Sequence, residues 1–139
     1  MQATTTIPVE IILLPEHCYR CGHRTAPVIG LRFTTAVVGD DECHLLDDCG
    51  DWFLEYGDST ADIIAGACPD ALLDAHGAGP LRWRTTRLVP DGCLVNTCQH
   101  CSAVLGNWPL HEAWLEYQAE GGTLDELPCF ASALDEAAL

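Results

Sequence analysis

The chain has 139 residues, 21 acidic side chains, six arginines and no lysine, for a formal net charge of −15. That length suits one domain with a modest core; the charge disfavours long-range attraction to phosphate; and no apolar run approaches the ~20 residues of a membrane-spanning helix. Nine cysteines, an odd number, and a start without a basic leader fit a reducing compartment, so the expected location is the cytoplasm.

Residues 7–14 are β-branched and apolar up to Pro15 and read as a strand. They lead into Cys18-Tyr19-Arg20-Cys21-Gly22, a C-x-x-C turn whose following glycine accepts positive φ without a Cβ clash. Residues 28–38 return as a second strand, so 7–38 forms one half of the expected architecture. Residues 40–79 form an acidic insertion. Within it Cys43, His44 and Cys49 offer three ligands for a second metal but no evident fourth, and unligated thiols are the simpler reading. A short strand is expected over 52–56. Ser59 and Asp62 approximate a capping box for a helix over 60–67. Pro69 and Gly77 bracket a second helix over 69–76, with His76 in its last turn.

Residues 80–107 form the other half. A strand over 81–89, a Pro90-Asp91-Gly92 turn and a returning strand over 93–96 deliver Cys98-Gln99-His100-Cys101. Ser102 stands where the first turn has glycine. Asn107 as cap and Pro109 in the first turn open a helix over 108–121, with Leu110, Trp114 and Tyr117 on its core side and Glu112, Glu116 and Glu120 in an acidic row. Gly121 ends it. The tail, 122–139, is acidic and alanine-rich; Leu127, Phe130 and Leu134 are its candidate docking residues.

Two C-x-x-C turns supply four thiolates, the donor set of a tetrahedral metal site. Without a secretory signal such pairs favour metal over disulfides. Cys18, Cys21, Cys98 and Cys101 are therefore the expected ligands of one structural zinc; iron suits the same four-sulfur geometry and ranks second. A thioredoxin-type redox pair would need a helix opening at the first cysteine, which Gly22 and Pro27 oppose.

All six arginines fall beside these turns. Residues 1–32 and 82–107 set them against only Glu10, Glu16 and Asp91, a formal +3, while the rest of the chain carries 18 acids and no base. Pairing of the arginines with the protein's own carboxylates is the plainer expectation. The sharper one is an anion- or partner-contacting face made by Arg20, Arg24, Arg82, Trp83, Arg84 and Arg87.

Cys18-Tyr19-Arg20-Cys21-Gly22-His23, then Gly79-Pro80-Leu81-Arg82-Trp83-Arg84, then residues 94–106 around Asn96 and the second cysteine pair, resemble bacterial zinc-ribbon proteins with a double C-x-x-C. Asn96, Ala103 and Gly106 match that pattern, whereas Leu94 replaces an aromatic residue and Ser102 a glycine. The resemblance implies four zinc ligands and a ribbon, and brings no activity with it. The expected fold is thus α+β: a single-domain zinc ribbon with cysteine knuckles on antiparallel hairpins, a helical acidic insertion and a C-terminal helix. The expected function is a structural zinc protein acting by contact with another protein. Nucleic-acid binding through Arg82-Trp83-Arg84 is the alternative. No catalytic motif occurs; His17, His23, His44 and His100 read as residues around the metal or at the surface, and an enzyme is the least favoured class.

Overall fold

The computed structural model describes residues 6–33, 51–53, 59–85, 87 and 89–135. In chain order these form β1 (Thr6–Leu13), β2 (Glu16–His17), β3 (Arg24–Thr25), β4 (Val28–Phe33), β5 (Asp51–Phe53), α1 (Ser59–Gly66), α2 (Asp70–Ala75), β6 (Arg82–Arg84), β7 (Cys93–Thr97), β8 (Val104–Leu105), α3 (Asn107–Ala119), a 3-10 turn (Leu124–Glu126) and β9 (Cys129–Asp135). The fold is α+β with small antiparallel sheets. A four-stranded sheet has the order β5-β4-β1-β9, and two smaller groups are β2-β3 and β6-β7-β8.

The sequence of β1 sets this arrangement. Ile7, Val9, Ile11 and Leu13 face one side of the sheet, and Ile12 with the following Leu14 faces the other. A strand apolar on both faces must be covered on both. On the first side lie Ile64 of α1, Leu73 of α2, and Phe130 and Leu134 of β9. On the second lies α3 through Leu110, with Ala113, Trp114 and Tyr117 packed around it and Leu127 beside it. The β1–β4 register jumps: Leu13 pairs with Val28 but Ile12 with Gly30. Ile29 is therefore an extra residue, and this bulge lets Val28 and Leu31 share the first face while Ile29 reaches the second.

The sequence expectation differs from this fold in several respects. Strands β1 and β4 do not flank the first cysteine turn as ribbon arms. They belong to the central sheet, because their two-sided apolar pattern is satisfied only there, and the turn rides on its own hairpin, β2–β3. Segment 40–79 is more than an excursion, since α1 and α2 contribute to the same core as the sheet. The tail becomes a strand: β9 pairs along β1 from Thr6↔Asp135 to Ile12↔Cys129, and Leu127, Phe130 and Leu134 are all buried. Helix α3 begins at Asn107, with Gly106 at the cap. Asn107 does not cap, because its buried amide donates instead to the Leu94 carbonyl at 2.9 Å. The Pro90-Gly92 turn, the two insertion helices and the stop at Gly121 (φ +94°) fall where expected to within about two residues. Cys43, His44 and Cys49 lie outside the described residues.

Candidate metal centre

Each C-x-x-C turn sits on a short antiparallel hairpin, the first between β2 and β3 and the second at the end of β7 before β8. The two turns repeat one hydrogen-bond pattern. In the first, Gly22 N–H donates to the Cys18 carbonyl (2.9 Å) and Cys18 N–H to the His23 carbonyl (2.9 Å). In the second, Ser102 N–H donates to the Cys98 carbonyl (3.0 Å) and Cys98 N–H to the Ala103 carbonyl (2.9 Å). In both, a backbone N–H two residues on reaches the first sulfur: Arg20 to Cys18 Sγ and His100 to Cys98 Sγ, each at 3.4 Å. The residue after the second cysteine is left-handed in both turns, with Gly22 at φ +75° and Ser102 at φ +63°. Ser102 is the sole non-glycine with positive φ among the described residues, so the serine departs from the pattern in side chain and keeps it in backbone.

The four sulfurs converge. Cys18 Sγ lies 3.6 Å from Cys101 Sγ and Cys21 Sγ 3.7 Å from Cys98 Sγ, and all four lie within 4.8 Å of one another. Sulfurs at ~2.3 Å from a central zinc would stand about 3.8 Å apart in a regular tetrahedron. The two short separations match that edge, and the donor set, four thiols and nothing else, fits zinc or iron. Cys18 and Cys98 are buried, with Ala103 beside them, while Cys21 and Cys101 are partly exposed.

The two thiols of the first turn shift in opposite directions. Cys18 is brought down to about 6, chiefly by the Cys21 N–H, with burial opposing and the Arg20 N–H and the Cys101 and Cys98 thiols assisting. Cys21 moves up to about 12: the His23 N–H pulls it down, but burial and the sulfurs of Cys98, Cys101 and Cys18 prevail. One proton leaves readily and the next resists, as expected for crowded like charges, and a divalent ion would remove that resistance.

Three contacts hold the turns in register with each other and with the sheet. Gln99 N–H donates to the buried Thr25 hydroxyl at 3.2 Å, joining second turn to first hairpin. His100 Nε2 meets the Arg24 carbonyl at 3.2 Å, and its ring lies 4.7 Å from that of His23. Asn96, fully buried in β7, forms a reciprocal pair with the Val28 backbone: Val28 N–H to Oδ1 at 2.7 Å and Nδ2 to the Val28 carbonyl at 2.8 Å. Gly79 runs so close beneath the second turn that a Cβ there would collide with the Thr97 carbonyl and the Cys98 backbone. Thr25, Gly79 and the clamping role of Asn96 escaped sequence reading. A polar side chain inside the apolar run of residues 93–97 was the one available signal.

The other candidate residues make individual contacts. Arg82 is taken by Asp70 in a two-pronged pair (2.7 and 3.1 Å), and Asp70 is held below its ordinary range by that guanidinium. Arg32 pairs with Asp125 at 3.0 Å. Arg20, Arg24, Arg84 and Arg87 form no carboxylate pair among the described residues. Trp83 is half-exposed and its indole covers Gly92. His17 is exposed on β2, and His76 stacks on Phe130 at 4.5 Å.

Comparison with known protein families gives no match, and neither does comparison with curated proteins or with solved structures. The likeness to bacterial zinc ribbons therefore rests on the motif residues alone. Among the described residues no helix is long and apolar enough to cross a membrane.

Proposed function

We propose that Cys18, Cys21, Cys98 and Cys101 bind one structural zinc in a ribbon-like centre, and that the protein acts as a contact module for another protein. The observation that carries the first part is the repeated turn geometry, with sulfurs 77 and 83 residues apart in sequence brought to tetrahedral spacing. Four thiolates close the coordination sphere, leaving no position for a catalytic water. The absence of any catalytic motif and the acidic body favour recognition over chemistry. Zinc bound between distant segments adds directly to folding, by roughly 10–16 kcal/mol in small zinc-binding peptides. Chelation, or Cys98→Ser, should therefore collapse the β2–β3 and β7–β8 hairpins; an apo protein with an unchanged melting curve would refute the structural role. Affinity purification from the native cell, with mass spectrometry, tests the contact role, and a consistent lack of any co-eluting protein counts against it.

One observation favours a second reading. Trp83 is half-exposed beside Arg84, and Arg84 and Arg87 have no carboxylate partner among the described residues. Such a surface could stack a base and hold phosphate. Binding to single-stranded DNA or RNA with a steep salt slope, lost in Trp83→Ala, would promote it over the protein-contact reading.

A further inference from the structure

Helix α3 carries two apolar faces where a surface helix needs one. Leu110 is buried on the sheet, with Ala113, Trp114 and Tyr117 packed around it. Trp108 and Leu115, seven residues apart, lie about 20° from each other around the axis and roughly 10 Å apart along it. Together with Ala119 they form a stripe about 180° from Leu110 and Tyr117. Trp108 remains 53 % exposed and Leu115 50 % exposed. A tryptophan so placed leaves about half of its surface uncovered, and Trp is over-represented among residues that dominate binding. His111 lies next to the stripe, its ring 6.0 Å from the indole. On the opposite flank Glu112, Glu116 and Glu120 repeat every four residues, all exposed. Like charges at that spacing destabilise the isolated helix, a cost that a cationic partner would recover.

We infer that the Trp108–Leu115 stripe of α3, bordered by Glu112, Glu116 and Glu120, docks a basic amphipathic segment of another protein. This deepens the contact reading and rests on it. Apolar anchors one to two turns apart would cover Trp108 and Leu115, and lysines or arginines on one flank would face the glutamate row. A second copy of the chain is disfavoured by charge. No base lies beyond Arg87, so a facing α3 would bring glutamates against glutamates on a chain of net −15.

The test uses the full, zinc-loaded chain and an 18-residue synthetic helical peptide with leucines at positions 4, 8 and 11 and lysines along one flank. Two controls accompany it: a scramble of the same composition and a version with glutamate for lysine. Amide shifts in NMR spectra should concentrate on α3. Trp108→Ser/Leu115→Ser should weaken binding at least tenfold, as should Glu112→Gln/Glu116→Gln, and the glutamate peptide should not bind. Both double variants alter exposed side chains, and an unchanged melting temperature and zinc content confirm that they stay folded. Equal binding of the scramble, shifts centred on Trp83 and Arg84, no binding, or a concentration-dependent dimer lost in Trp108→Ser/Leu115→Ser would each overturn the assignment. Native-cell co-elution and zinc content are independent readouts, so failure of the stripe is separable from failure of the contact reading.

Discussion

Replacing Asn96 by alanine probes the joint between metal centre and sheet. The Asn96 amide pairs with Val28 as a neighbouring strand would, accepting from its N–H at 2.7 Å and donating to its carbonyl at 2.8 Å, and both residues are fully buried. Alanine removes both partners at once and leaves a buried donor and a buried acceptor unpaired. Each orphaned group costs about 1–3 kcal/mol, so the variant should lose roughly 2–6 kcal/mol. With an unfolding slope of about 2 kcal/mol per molar urea, the middle of the usual range, the midpoint of the zinc-loaded protein should fall by about 1–3 M. Asn96→Asp should do at least as much harm at neutral pH. It keeps the shape and the acceptor but buries a charge and turns a second oxygen toward the Val28 carbonyl. Urea unfolding followed by circular dichroism measures both variants, with zinc content measured in parallel. The four sulfurs are untouched, so one metal per chain should persist below the transition. An alanine variant within about 0.5 kcal/mol of the parent would refute the clamp.

Further expectations concern the turns and the pH response. Gly79→Ala should destabilise by about 3 kcal/mol, the upper part of the overpacking range, because the neighbour it meets is backbone that cannot rotate away; an unchanged melting temperature would contradict this. Ser102→Gly should be neutral or stabilising by up to about 1 kcal/mol, since the relief of a left-handed serine is partly offset by the freer unfolded chain. A loss of stability there would show that the serine side chain matters. Asp70→Asn breaks the pair with Arg82. The folded carboxyl titrates below the ordinary 3.8, so its contribution is present above that value and lost as pH falls through the lower, folded one. Parent and variant should therefore differ in melting temperature at neutral pH and converge in strong acid. A difference that grows on acidification would reverse the sign.

What could be read from sequence follows from how local each signal is. The C-x-x-C pairs, Pro90-Gly92 and the stops at Gly77 and Gly121 are set by a few adjacent residues, and all appear where expected. Strand membership is not local. Residues 7–14 were legible as a strand, but its apolar residues on both faces were the clue that it would sit inside a sheet covered on both sides, not in an exposed ribbon arm. For the same reason β9 was obscure: Phe130 and Leu134 show period-four spacing in an alanine-rich tail, and only pairing with β1 identifies them as strand residues. The sulfur cluster was readable because metal chemistry restricts spacing so strongly. Asn96 and Gly79 were not, since a side-chain clamp on a distant backbone and a close chain crossing leave no periodic trace.

Zinc-edge X-ray absorption on the purified full chain reaches the metal centre most directly. One zinc per chain bound by four sulfurs at ~2.3 Å is expected, and Cys18→Ser should abolish that four-sulfur shell. A lighter atom in the first shell of the parent, or a sulfur shell unchanged by Cys18→Ser, would contradict the shared site.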